Sequence, residues 1–233
     1  MENHFKKILI IAAHPDDEIL GCGGLINKFS KQNADIRVVF MAEGISSRYN
    51  LKNSELTKKI KNEICYREKC ALSALELLGI SKTNIFFSKR KCCQLDTYPL
   101  LEITKEIEFH IKDFTPSCLI THFAKDTNID HRICFQATLP AIRPTKENSL
   151  KLVLSFEVIS STEWNYPEQF RPNFFINIED EIENKLNACL RYDNEISKDN
   201  DRRSIDVIRS LAKLRGSQSG YSFSEGFQLI VRR

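Results

Sequence analysis

Ile8-Leu9-Ile10-Ile11-Ala12-Ala13 breaks at His14-Pro15-Asp16-Asp17-Glu18 and runs on to Gly21-Cys22-Gly23-Gly24. A short apolar run closed by a proline reads as a buried strand. The acidic residues behind it suit the positive end of a helix, so the imidazole and the carboxylates fall at a strand-to-helix turn. Pro15 pushes His14 toward extended backbone and presets its own φ for a first helical turn. His14 and Asp17, three residues apart, can then converge on one point, with Asp16 reaching it from another side. Three adjacent carboxylates at one turn repel more strongly than a helix terminus carrying about half a unit charge can offset. A bound divalent cation resolves that conflict. On spacing alone, an over-capped helix N-terminus with a satisfied histidine is an equal reading.

Outward from this turn the chain alternates. Further strands are expected at 35–41, 84–87, 117–121 and 150–156, and helices at 18–31, 55–78, 98–112 and 131–139. The second of these helices carries Leu56, Ile60, Ile64, Ala71, Leu75 and Leu78 on one face, and the third carries Leu100, Ile103, Ile107 and Ile111, both amphipathic patterns. Strand-helix alternation means parallel strands joined by right-handed crossovers. The fold class is therefore α/β, a Rossmann-like three-layer sandwich with a mostly parallel sheet. Beyond residue 156 an edge strand at 174–176, helices over 182–190 and 205–216 ended by Gly216, and a last strand at 228–231 are expected. With no linker, repeat or low-complexity tract, residues 1–233 form one domain: a core over 1–156 and a helical C-terminal elaboration over 157–233 that walls the pocket.

Composition narrows the function. The 34 basic and 31 acidic residues leave a net charge of +3, too little for an electrostatic claim on nucleic acid or anionic membrane. No apolar run approaches the ~20 residues that span a bilayer, so membrane insertion is not expected. The first strand follows the start too closely for a signal peptide, which points to a cytoplasmic protein. Eight cysteines without a C-x-x-C pair read as buried, reduced side chains rather than a disulfide framework. Cys92-Cys93, behind Lys89-Arg90-Lys91, stands out as a candidate exposed and reactive pair.

In a sheet ordered 3-2-1-4-5, strands one and four are neighbours and their helices leave on opposite faces, which opens a ligand crevice between them. That places the turn holding His14, Asp16 and Asp17 beside the loop Asp126-Thr127-Asn128-Ile129-Asp130-His131. Two histidines and a carboxylate around an open position make a catalytic zinc set. A carboxylate or carbonyl beside His131 would fix its tautomer.

The two motifs Ala13-His14-Pro15-Asp16-Asp17-Glu18 and Asp126-x-Asn128-x-Asp130-His131 resemble the PIG-L/LmbE family of zinc-dependent de-N-acetylases. So do Ser160-Ser161-Thr162-Glu163-Trp164, Pro172-Asn173, Arg203-Ser204, Arg215-Gly216 and Glu225-Gly226-Phe227, in the manner of its soluble bacterial branch. The resemblance covers nearly the whole chain. It implies removal of an acetyl group from an N-acetylated amino sugar or glycoconjugate, with release of acetate and a free amine. It also implies one Zn²⁺ per chain held by His14, Asp17 and His131, with other divalent ions possible, and Asp16 as general base. Several members carry a histidine where this chain has Asn128, and that side chain is assigned to the oxyanion. Here Asn128 can donate an N–H in its place, or the role falls to zinc alone or to a tyrosine elsewhere.

Arg48 matches a loop arginine that members use on substrate, with a solvated surface arginine as the equal alternative, and the only tryptophan, Trp164, is a candidate sugar-stacking residue or a core or lid anchor. Glu18 and Asp130 are expected behind the ligands, and His122 is not expected to ligate. A dinucleotide site is excluded because no G-x-G-x-x-G can be written through Gly21-Cys22-Gly23-Gly24. A zinc amidase acting on a non-sugar amide and a non-catalytic sugar-binding module are the alternatives. The oligomeric state stays open, a homo-oligomer included.

Overall fold

The structure, a computed structural model, describes residues 4–49, 54–145, 150–196 and 201–233. Among them seven strands form one sheet in the order β3-β2-β1-β4-β5-β7-β6. The strands are β1 (Lys7–Ala12), β2 (Asp35–Phe40), β3 (Ile85–Phe87), β4 (Cys118–His122), β5 (Leu152–Phe156), β6 (Phe174–Asn177) and β7 (Ser224–Arg232). β1 pairs in parallel with both β2 and β4, while β7 runs antiparallel between β5 and β6. The helices are α1 (Asp17–Lys31), α2 (Ser54–Leu77), α3 (Leu100–Phe114), α4 (Ile129–Ala141), α5 (Ile182–Cys189) and α6 (Ile205–Ser219).

Side chains alternate across a strand, and β1 shows why a continuous apolar run was needed. Ile8, Ile10 and Ala12 face one core, shared with Ile19 and Leu25 of α1, Leu75 of α2, Leu186 of α5 and Ile208 of α6. Leu9, Ile11 and Ala13 face the other, shared with Ile103 and Ile107 of α3 and Ala137 of α4. Both faces are covered, as a parallel sheet requires.

The C-terminal part is less of an add-on than the sequence suggests, since both of its strands complete the sheet. α6 also continues through Gly216 and ends at Gly220, whose φ of 80° closes it. Gly216 is small for a packing reason: a Cβ there would lie 2.6 Å from the Tyr221 carbonyl oxygen.

α1 is interrupted at Cys22, where φ is −146°. The Leu20 carbonyl and the Gly24 N–H, partners in an unbroken helix, go instead to an ion pair. Lys185 Nζ donates to Leu20 O at 2.9 Å and to Glu225 Oε1 at 2.6 Å, and Glu225 accepts from Gly24 N and Leu25 N, each at 2.8 Å. Gly24 allows the close approach at this break, because a Cβ would sit 2.7 Å from Ile178.

Candidate active site

The C-terminal ends of β1 and β4 bring two loops together at the point where the crossovers diverge. His14 leaves β1 and Asp17 opens α1, while His131 lies in the first turn of α4; all three are buried. Asp17 Oδ2 stands 3.4 Å from His14 Nδ1 and 3.2 Å from His131 Nε2, and it accepts the His14 backbone N–H at 2.8 Å. One donor atom from each of His14, Asp17 and His131 lies within 4.8 Å of the others.

Whether these residues suit a cation can be judged from His131. Its ring is fully buried, yet neither nitrogen makes an aligned hydrogen bond within the protein. An imidazole buried without aligned hydrogen bonds is costly, and an ion between the two rings and Asp17 would satisfy Nε2. Two nitrogens and one carboxylate oxygen are the donors of open catalytic sites for zinc and similar ions, so the set fits. Burial disfavours the charged imidazole of His131, but the carboxylates of Asp17 and Asp126 outweigh it and raise its pKa to about 9.

The groups behind the two imidazoles are carboxylates, the arrangement usual for metal-binding histidines. Asp130 accepts from His14 Nε2 at 2.8 Å, Cys93 N at 2.6 Å and Leu95 N at 2.9 Å. It therefore serves His14 and not His131, because consecutive helical residues point in different directions. The carboxylate beside His131 is that of Asp126, with Oδ1 3.2 Å from Nδ1. Asp126 is fixed by the hydroxyls of Ser161 and Thr162 and by the Asn128 N–H. Although burial opposes it, His131 first, and then the Ser161 and Thr162 hydroxyls, lower the Asp126 pKa to about 2. His122 Nε2 accepts the Ala13 N–H at 2.7 Å, and its ring stacks on His131 at 3.9 Å.

Asp16 has an unusual backbone conformation. It sits in the turn before α1 with φ 123° and ψ −30°, a region that L side chains avoid. Several groups hold it there. Its N–H donates to Glu18 Oε2 at 2.9 Å, Arg67 Nε donates to the Pro15 carbonyl at 2.5 Å, and Arg67 Nη2 and Arg203 Nη1 each reach Asp16 Oδ2 at 2.8 Å. Glu18 is fully buried and accepts from the Tyr192 hydroxyl. Burial pushes its pKa up to about 8.

A cavity of about 160 Å³ opens onto these groups, lined in part by Asp16, Arg48, Arg67, Asn128 and Arg203. Asn128 caps α4, its Oδ1 accepting the Asp130 N–H at 2.9 Å, which leaves its NH₂ as the end not used by the cap. Arg48 pairs with Glu195 at 2.7 Å and borders both this cavity and a second one of about 410 Å³. Trp164 lines only the second, with the Arg202 guanidinium 5.4 Å from its ring centroid. Arg67, Glu195, Arg203 and Asp126 also meet at this site, and the sequence pattern assigns none of them a role there. Arg67 lies on an ordinary amphipathic helix, and nothing in its local pattern signals the site.

The PIG-L family model, described as GlcNAc-PI de-N-acetylase, matches residues 9–142. The chain belongs to this family. Among curated relatives, a diacetylchitobiose deacetylase of Thermococcus kodakarensis is 23% identical over 98% of this chain and 84% of its own length. The uncharacterized deacetylase YaiS of Escherichia coli is 27% identical over 81% of this chain and 91% of its own length. The solved structure of N,N'-diacetylchitobiose deacetylase from Pyrococcus horikoshii aligns with a TM-score of 0.77 at 21% identity, covering 97% of this chain and 84% of that one. GalB, a 4-carboxy-2-hydroxymuconate hydratase from Pseudomonas putida, aligns at 0.74 and 20% identity over 98% and 97%. The PIG-L architecture thus supports more than one reaction, and the site has to carry the assignment.

No helix among the described residues is long and apolar enough to cross a membrane.

Proposed function

We propose that this chain is a metal-dependent N-deacetylase that removes an acetyl group from an N-acetylated amino sugar or its conjugate. The observation that carries the proposal is the convergence of His14, Asp17 and His131 beside a strained carboxylate, Asp16, at the mouth of the same cavity. Family membership and the curated deacetylase relatives support it. His14, Asp17 and His131 would hold one Zn²⁺ or a similar divalent ion. When bound, such an ion acidifies a water and polarises the amide carbonyl.

Asp16 takes the proton of the attacking water and returns it to the departing amine, so one residue serves in turn as base and acid. Asn128 donates from its side-chain NH₂ to the developing oxyanion, a contact of the kind worth on the order of 3 kcal/mol. Asp130 and Asp126 orient the two imidazoles. Arg48 grips sugar hydroxyls or an anionic substituent, and Trp164 supports the outer part of the substrate.

Residues 1–233 act as one domain in this reading, with 157–233 walling the pocket. Support comes from Ser161, Thr162 and Arg203, which reach Asp126 and Asp16 from beyond residue 156. The test is a screen of zinc-loaded protein for acetate and amine released from N-acetylglucosamine, N,N'-diacetylchitobiose and nucleotide- or lipid-linked N-acetylglucosamine. One amine per acetate from at least one of these is the expected outcome. Hydrolysis of simple amides with no sugar turned over would instead favour the amidase reading.

A further inference from the structure

Cys92 and Cys93 lie in the turn that faces His14 across the cavity rim. Consecutive side chains in extended backbone point to opposite sides. Here Cys93 adopts a φ of 55°, and the two sulfurs come within 3.7 Å of each other. Both amides pin this arrangement: Cys92 N–H donates to Glu43 Oε1 at 3.0 Å and Cys93 N–H to Asp130 Oδ2 at 2.6 Å. One donor atom from each of His14, Cys92, Cys93 and Asp130 lies within 4.8 Å of the others. Two sulfurs each about 2.3 Å from a tetrahedral ion stand about 3.8 Å apart, close to the spacing found. The separation is therefore one that a single ion can bridge without moving the turn.

We propose that Cys92, Cys93 and Asp130 form a second cation site, specific for a thiophilic divalent ion such as Cd²⁺ or excess Zn²⁺, whose occupation inhibits the centre at His14, Asp17 and His131. The two donor sets differ in softness. Thiolates select soft ions, whereas the nitrogen and oxygen donors beside them do not. Cys93 is exposed and gives the ion its way in. Binding releases to solvent any proton the two sulfurs still carry and engages a carboxylate oxygen that otherwise holds His14 Nε2. Inhibition follows because His14 loses the partner that orients it.

The test uses full-length, zinc-loaded protein in which Cys65, the other exposed thiol among the described residues, is replaced by Ser. Cadmium is added while the ultraviolet thiolate-to-cadmium charge-transfer band and amine release are followed together. The band should saturate at one added cadmium per chain, with activity falling in step. Cys92→Ser/Cys93→Ser should show no band, and its rate, relative to its own cadmium-free rate, should not respond to cadmium. Should the double variant fail to fold, Cys93→Ser alone keeps the buried thiol, and its band should drop to roughly half with weaker binding. An unsaturable band, or one that survives loss of both thiols, overturns the proposal. The absorbance does not depend on the deacetylase assignment, so failure of one is distinguishable from failure of the other.

Discussion

Asp16 concentrates the strain of the site in one residue. A non-glycine φ of 123° costs on the order of 1–3 kcal/mol and persists only where the surroundings enforce it. Here Glu18, Arg67 and Arg203 all do so. Asp16→Asn keeps the shape but removes the base, so turnover should fall about 10²- to 10⁴-fold. Metal content should be unchanged, because Asp16 is not in the converging set. Steady-state rates together with metal analysis of the purified variant check this, and unchanged turnover removes Asp16 from the base role. The motif spacing made the meeting of His14, Asp17 and His131 legible, because the strand order alone brings the two loops together. Asp126, Arg67, Glu195 and Arg203 were not legible as a group. Glu195 meets Arg67 across 128 positions, and Arg203 meets Asp16 across 187, pairings fixed by packing rather than by local pattern. Asp130 was expected behind the ligands, yet which imidazole it serves depends on helix direction, which spacing does not show.

Among the elements, strand and helix identities followed from periodicity, and the departures arise where tertiary contacts override local signals. Gly216 has the composition of a helix stop but lies within α6, because its missing Cβ admits the chain at Tyr221. The break in α1 was equally hidden, since the ion pair that fills it comes from α5 and β7. Lys185 and Glu225 are both buried there, and removing one partner of such a pair leaves an uncompensated charge. Glu225→Ala also orphans the Gly24 and Leu25 N–H groups. A destabilisation of about 3–5 kcal/mol is therefore expected, read as a lower denaturant midpoint at constant slope. A midpoint equal to that of the parent protein would mean that water satisfies the break without the carboxylate.

For the molecule as a whole, covering both faces of the sheet places titratable groups under helices, and acid stability should report one of them. His110 of α3 packs edge-on to Phe86 of β3 at 4.9 Å, and its Nδ1 lies 3.4 Å from Arg37 Nη1 of β2. Arg37 in turn pairs with Asp113 at 2.7 Å. Burial first, and the Arg37 charge second, lower the His110 pKa from 6.5 to about 4, with Asp113 opposing. The folded protein therefore holds this imidazole neutral where the unfolded chain protonates it, so the unfolded state binds more protons between those two values. Stability must then fall as pH drops from 6.5 to about 4, with no further loss from this group below that. His110→Gln keeps a neutral side chain at every pH and removes this linkage. The thermal midpoint of the parent protein should lose ground against the variant across that window, and the difference should be constant on either side of it. Parallel midpoint curves would show that His110 is protonated in the folded state and that the α3 layer accommodates its charge.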